Sequence, residues 1–194
     1  MSVSCPCEWR SAKHFPDVPV TVAAREDDVA EAIEGDEHAR YAYYIGAFER
    51  SEVDGAGEFE LLAGVVGDPD PSMAEAVVIR HLDRRAEVLA AGAEFAAWSA
   101  RVAPMIGHWE FASGRLREWT LLKSIVSAGP WAVGDLLAAS NWLQLKVAKS
   151  VTDGRALGAL AGAGRTRRIR YTGRVRSGEG AAGRSAGGVE DSAG

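Results

Sequence analysis

The residues best suited to binding a metal lie near the start of the chain, at Cys5, Cys7 and His14. Structural zinc takes four ligands, and its first two are usually separated by about two to four residues. One residue separates these cysteines, a poor spacing for zinc unless an acid such as Glu8 or a second chain completes the site. Two cysteines also cannot form a disulfide framework. We therefore predict no metal site and no cofactor, and we interpret residues 1–20 as an extended leader.

The remaining histidines are His38, His81 and His108, and none stands in an HExxH zinc-protease pattern. The chain also has no serine in a GxSxG nucleophile elbow. We expect His38 and His81 on the solvated polar faces of helices. His108 and Glu110 form the best-placed acid–base pair, because they lie in a glycine loop flanked by aromatic residues. We predict that the protein is not an enzyme, and an enzyme of unrecognised type using this pair is the second alternative.

Glycines at Gly158, Gly162 and Gly164 precede Arg165-Thr166 and resemble a phosphate-binding loop. A phosphate loop requires a different glycine spacing, a lysine in place of this arginine, and a preceding strand. We therefore interpret these glycines as helix caps.

Six arginines and no acid lie between Arg165 and Arg176, whereas residues 1–70 have a charge balance of −11. Such a separation of positive from negative charge indicates two surfaces of opposite charge. The arginines can hold phosphates while Tyr171 stacks on a base, as in single-strand binders. The segment can equally be the polar outer face of a terminal helix. Because the whole chain carries −5, we favour a protein partner with an acidic surface over nucleic acid.

The elements that would position these residues are helices, and we find no convincing strand. Apolar residues recur every three or four positions, as on one face of a helix. Asp70 and Pro71 form a preferred helix start, and we expect Ser113 to cap a later helix and Pro104 to follow the end of another. The predicted helices are 25–33, 36–52, 58–66, one from Pro71 to before Gly92, one holding Phe95, Trp98 and Val102, one from Ser113 to before Gly129, and then 131–139, 142–150, 155–162 and 165–174.

These elements predict one all-α domain over residues 21–174, with repeat-like short helices from residue 131. Seven of the last 22 residues are glycine, so we predict a disordered tail over 175–194. The chain has 47% apolar residues, enough for a core, but no apolar run of membrane-spanning length. It also lacks a secretory signal at its N-terminus. We therefore predict a cytoplasmic protein without a membrane partner, and its Ala, Gly and Arg content suggests a bacterial genome.

Two stretches share an internal pattern. Each begins with an acid followed by Leu-Leu-Ala, at Glu60 and at Asp135, breaks at a polar turn, and restarts as an amphipathic helix. An offset of 24 residues also relates Leu136 to Leu160 and Leu145 to Ile169. Short helices of this kind gain stability by stacking on the next pair, as in solenoids. The stretch 68–134 is not visibly periodic, so an irregular helical bundle stays open beside a stack of helix pairs.

The later part of the chain resembles the leucine-rich repeat variant, a relative of HEAT repeats. The resemblance is carried by Leu137-Ala, Trp142-Leu-Gln-Leu-Lys-Val-Ala148, Ala156-Leu-Gly-Ala-Leu-Ala161 and Arg167-Arg-Ile-Arg170. The turn Asp68-Pro-Asp-Pro71 is similar to the inter-helix turn of a HEAT repeat. The resemblance implies a HEAT-like α-solenoid. Some members of that family carry an iron–sulfur module, for which two cysteines are too few.

These observations predict a non-catalytic protein–protein interaction module that uses a groove between stacked short helices. Aromatic residues and arginine are common anchors of interaction surfaces, and Trp131 and Trp142 begin short helices. The alternative is a nucleic-acid-binding protein that uses Arg165–Arg176. The expected partner-binding residues are Trp131, Trp142, Arg165, Arg167, Arg168, Arg170 and Tyr171.

Overall fold

The computed structural model describes residues 36–54 and 57–185, with side chains over 36–51 and 57–178. This part of the chain is all-α, which confirms the predicted fold class. Its helices are α1 (Glu37–Asp54), α2 (Glu58–Val66), α3 (Pro71–Val88), α4 (Ala93–Ile106), α5 (Glu110–Val126), α6 (Val133–Ala138), α7 (Asn141–Ser150), α8 (Gly154–Ala163) and α9 (Arg167–Ser185). The predicted leader 1–20, the helix over 25–33 and the candidate ligands Cys5, Cys7 and His14 lie outside the described residues.

The helices pack in two layers. In the first layer α1 packs on α3, α3 on α5, α5 on α7 and α7 on α9. In the second layer α2 packs on α4 and α6 on α8, and pairs such as α2–α3, α4–α5 and α8–α9 join the layers. One continuous apolar core runs through the stack, from Phe48 to Ile169. The first-layer helices of the stretch 68–134, which showed no period, therefore stack in line with the short helices that follow, whereas α4 makes little or no contact with α6.

The internal pattern of the sequence maps onto equivalent places in this stack. The two Leu-Leu-Ala segments lie in α2 and α6, both in the second layer. The offset of 24 residues carries α6 onto α8 and α7 onto α9, and Leu136 and Leu160 are both fully buried. Membership of a HEAT-type family stays a prediction.

Polar side chains start several helices as expected. The Asp70 carboxylate accepts hydrogen bonds from the backbone N–H groups of Ser72 and Met73, both at 3.0 Å, and Pro71 begins α3. Ser140 caps α7 and Asp153 caps α8 in the same manner. Each cap satisfies N–H groups that a helix start would otherwise leave without a partner.

Several predicted helix boundaries are wrong, among them that at Trp131, which lies two residues before the start of α6. Pro104 does not end its helix but lies inside the last turn of α4, where the fully buried Val102 and Ile106 hold that turn against the core. Pro104 cannot donate to the carbonyl four residues earlier and its ring crowds that carbonyl, so the packing of this turn on the core must outweigh that cost. Ser113 is not a cap, because α5 already begins at Glu110, and its hydroxyl donates to the Ile106 carbonyl at 3.0 Å.

The last helix also differs from the expectation, since α9 continues past residue 174 to Ser185. Gly173 lets α9 approach α8 closely, because a Cβ there would lie 2.9 Å from the Ala161 nitrogen. Arg176 then donates to the carbonyls of Lys149 and Val151 at the end of α7. Composition alone did not reveal these tertiary contacts. The rest of the expected tail, 186–194, lies outside the described residues.

The expectation of a solvated His81 is also wrong, since this residue is only 2% exposed. Its Nε2 lies 2.9 Å from a carboxylate oxygen of Glu58, and the Phe48 ring stacks on the imidazole at 3.9 Å. The Trp98 indole N–H donates to the same oxygen at 2.8 Å, and Arg85 lies 3.4 Å from the other oxygen. Glu58 therefore joins α2, α3 and α4 through one buried carboxylate, which requires such partners to be buried at all.

Opposing effects set the pKa of the Glu58 carboxyl. Burial alone would raise it, but hydrogen bonds from His81 and Trp98 and the positive charge of Arg85 outweigh burial and lower the pKa from its ordinary value of 4.5. A group whose pKa is lower in the folded state stabilises that state above its unfolded pKa, and this contribution is lost as pH falls through the folded value.

We therefore expect the free energy of unfolding to fall as pH decreases from 4.5, and the Glu58→Gln variant to show a weaker fall over that window. Urea unfolding followed by circular dichroism at several pH values measures both. Glu60→Gln, on the exposed face of α2, should keep the pH dependence of the unmodified protein. Identical pH profiles for the two variants would contradict this role of Glu58.

Candidate interaction groove

A groove of about 1220 Å³ lies between α5 and the segment that runs from Pro130 through α6 to the start of α7. One face of α5 forms the floor of the groove, and α6 with the α6–α7 turn forms its wall. The lining residues are Glu110, Phe111, Gly114, Arg115, Arg117, Glu118, Thr120, Leu121, Ser124, Pro130, Trp131, Asp135, Ala138, Ala139, Ser140, Asn141, Trp142 and Arg165.

Apolar side chains line both ends of the groove. Leu121 and Pro130 lie near Trp131 where α5 ends, and Phe111 is 63% exposed near the start of α5. The Arg155 guanidinium stacks over the Trp131 ring at 4.5 Å and orients it. Exposed aromatic surface beside arginine is typical of interaction sites.

Three arginines line the part of the groove near the start of α5. Arg115 stacks on the Trp142 ring at 3.7 Å and lies 3.7 Å from an Asp83 carboxylate oxygen. Arg165 donates to the Ala139 carbonyl at 3.1 Å, and Arg117 is exposed. The Glu118 carboxylate binds the wall of the groove, because it accepts a hydrogen bond from the Ser140 N–H at 2.8 Å. The exposed Glu110 also lines this end of the groove, so three arginines face two acids there and the excess of positive charge is small.

Gln144 is fully buried and holds the wall of the groove in place. Its side-chain amide donates to carbonyls at the end of α6, those of Leu136, Leu137 and Ala139, at 3.1, 2.9 and 3.3 Å. Its side-chain oxygen accepts the Arg165 N–H at 2.9 Å. One side chain thus joins α6, α7 and the α8–α9 turn.

The seven residues that the sequence singled out for binding fall into two groups. Trp131, Trp142 and Arg165 line the groove. Arg167, Arg168 and Tyr171 lie on the exposed side of α9, outside the groove lining, and Tyr171 is 69% exposed. Arg170 has a local structural contact, since its guanidinium donates to the Gly164 carbonyl at 2.6 Å.

Sequence reasoning missed the α5 side of the groove. Phe111, Gly114, Glu118 and Leu121 recur at spacings of three and four, which is the pattern of a second helical face. The apolar stripe through Leu116 and Trp119 is the buried face of the same helix. Only Phe111 and Leu121 are apolar on this second face, so the sequence held a partial signal for a partner on that side.

The remaining candidates from the sequence are the His108–Glu110 pair, the glycines that precede Arg165 and a metal site. His108 and Glu110 are both exposed, and Glu110 lines the groove. Of the three glycines interpreted as caps, Gly158 and Gly162 lie inside α8, so that interpretation is wrong for them. Gly164 does end α8, and a Cβ there would lie 2.6 Å from an Ile169 side-chain carbon, so the position requires glycine. Within the described ranges, no three His, Cys, Asp or Glu side chains are grouped as a metal site would need.

Comparison with known proteins gives no relative. The chain matches no protein-family model, no curated protein and no solved structure. Among the helices that the structure describes, none has both the length and the hydropathy needed to cross a membrane.

Replacing Gln144 with Met keeps the side-chain volume but removes its hydrogen bonds to three carbonyls and one N–H group. A buried polar group without a partner costs about 1–3 kcal/mol, so we expect Gln144→Met to lower the free energy of unfolding by roughly 2 kcal/mol or more. Chemical unfolding measures the change. The control Lys149→Met, on the exposed face of α7, should stay within about 0.5 kcal/mol. Equal losses for both variants would show that the bonds of Gln144 do not hold the wall.

Proposed function

We propose that this protein is a non-catalytic interaction module whose groove binds a segment of a partner protein. The observation that carries the proposal is the continuous groove between α5 and α6, which combines exposed aromatic surface with arginines. Its volume of about 1220 Å³ exceeds the roughly 300–1000 Å³ of typical small-molecule pockets. The cytoplasmic setting and the bacterial origin stay predictions from the sequence.

The side chains that can contact a partner differ from those that build the groove. Trp142 is part of the wall, because it packs edge to face on Trp119 at 5.5 Å and lies under Arg115. Phe111 has no ring or cation stacked on it among the described residues, and its exposed side chain offers apolar area that a partner would remove from water. Burial of apolar area at a well-packed centre dominates the energy of most interfaces.

A photo-crosslinking amino acid in place of Phe111 tests this proposal in cells that express the protein. We expect a discrete adduct, suppressed by excess unmodified chain and much less by excess Phe111→Ala chain. Because Phe111 is exposed, its replacement should change stability by less than about 0.5 kcal/mol. The control is the same photo-reactive residue at Val88, which is 66% exposed and outside the groove lining. The absence of a Phe111 adduct, or the same adducts at both positions, would overturn the proposal.

Nucleic-acid binding through α9 is the second candidate. The observation that favours it is a helix face on which the exposed Tyr171 lies between Arg167, Arg168 and Arg174. Positive charge can hold phosphates while an aromatic ring stacks on a base. Arg170 and Arg176 are less suited, because both guanidinium groups already donate to backbone carbonyls.

Single-stranded RNA and DNA binding at several salt concentrations tests the second candidate. Replacing Arg167, Arg168 and Arg174 together with Gln should lower affinity and flatten its salt dependence, since fewer counterions are released. The control variant Arg101→Gln removes an exposed arginine from α4, where it stacks on Phe59, and should leave binding unchanged. No binding by the unmodified chain at low salt would end this candidate.

A further inference from the structure

The second layer of the stack is interrupted next to the groove. Within the described chain, α2 packs on α4 and α6 packs on α8, whereas α4 and α6 make little or no contact. The first layer continues past the same point, because α3 packs on α5 and α5 packs on α7. Among the described helices, the interruption leaves one face of α5 without a helix against it, and that face lines the groove.

The uncovered face of α5 has the pattern of a helix-packing surface. Glu110, Gly114, Arg117, Leu121 and Ser124 follow one another at spacings of four, three, four and three residues. At a rise of about 1.5 Å per residue this stripe is about 21 Å long. Ridges formed at such spacings are the surfaces on which a second helix packs.

Gly114 lies in the middle of the stripe. A Cβ at this position would meet only the Arg117 side chain, at 3.8 Å, so the fold of this chain does not require glycine here. Glycine in a helix interior is destabilising relative to alanine. A missing Cβ on the floor of a groove lets another backbone come close.

We propose that the groove binds an amphipathic helix of a partner protein, which packs on α5 where the second layer is interrupted. The inference rests on the proposed function and specifies the partner. The apolar side chains of the incoming helix pack on Leu121 and Trp131 at one end and on Phe111 at the other, where an acidic side chain pairs with the exposed Arg117. Arginine and carboxylate form strong two-bond pairs, and the pair with Arg117 sets the direction of the helix.

A helix fits this surface better than an extended segment does. Extended peptides bind by adding a strand to a sheet edge, and the part of the chain that the structure describes contains no strand. Proline-rich peptides can dock on aromatic grooves, and they are therefore the competing outcome of the test. A helical ligand instead uses side chains at spacings of three, four and seven residues, which match the stripe on α5.

Two displayed libraries, selected against the immobilised full chain, test the inference. One presents a randomised helix face on a stable helical scaffold, and the other presents linear proline-rich peptides. Binding at the groove is scored by its loss in Phe111→Ala. We expect the helical library to give groove binders, and we expect each of these helices to carry an apolar face and an acidic residue near one end.

Substitutions at Gly114 provide the sharper measurement. A side chain at this position should block a closely packed helix, so we expect the affinity of the helical binders to fall at least tenfold in Gly114→Leu, with a smaller loss in Gly114→Ala and no fall in Tm for the alanine variant. Gly64→Ala and Gly64→Leu are matched controls, because Gly64 is an exposed glycine in α2 with open space around it. They should leave binding unchanged.

The possible outcomes separate the two proposals. Groove binders from the proline-rich library alone would overturn the helix inference and leave the interaction groove standing. Helical binders that tolerate Gly114→Leu would also overturn it, since they would not pack closely on α5. If the helical binders had no acidic residue and bound the Arg117→Gln variant equally well, the direction assigned to the bound helix would be overturned. If neither library gave binders that depend on Phe111, the groove itself would not bind peptide segments and both proposals would fall.

Discussion

Gln144 is the side chain on which the second half of the structure depends. Helices of six to ten residues, such as α6, α7 and α8, are too short to be stable alone in water. Their ends leave carbonyl groups that need partners, and in α6 a buried amide from the next helix supplies those partners. The same amide accepts the Arg165 N–H from the turn after α8. The position of one wall of the groove follows from this single group.

Glu58 has a comparable role in the first half of the stack, but with charge instead of a neutral amide. A buried carboxylate is costly unless it is paired and hydrogen-bonded, and here His81, Trp98 and Arg85 provide the partners from α3 and α4. Both groups join consecutive elements of the stack. Polar bonds that hold such elements in fixed positions explain how a chain of short helices can present a defined groove without a strand or a disulfide among the described residues.

The local features of the fold were predictable, because they depend on neighbours in sequence. The cap at Asp70, the helix start at Pro71 and the short helices near residues 141–150 all follow from residue types within a few positions. The prediction for His81 failed because its helix face was judged from charged neighbours alone, while Phe48 and Glu58 cover it from other helices. Three of the residues that line the groove, Trp131, Trp142 and Arg165, were among those singled out in the sequence. Phe111 and Gly114 were missed, because the sequence does not show which helices lie next to each other in the stack.

The all-α class, the starts of α7 and α8 and the separation of charge could therefore be read from the residues themselves, since hydrogen-bond caps and apolar periods act over one or two turns. Tertiary structure decided which faces are covered. It buried His81, extended α9 past Gly173 through contacts with α8, and left the face of α5 that carries Gly114 and Leu121 open beside the interruption between α4 and α6. The physical reason is that burial depends on which distant helices pack together, and one helix face has the same pattern whether its partner lies in this chain or in another protein.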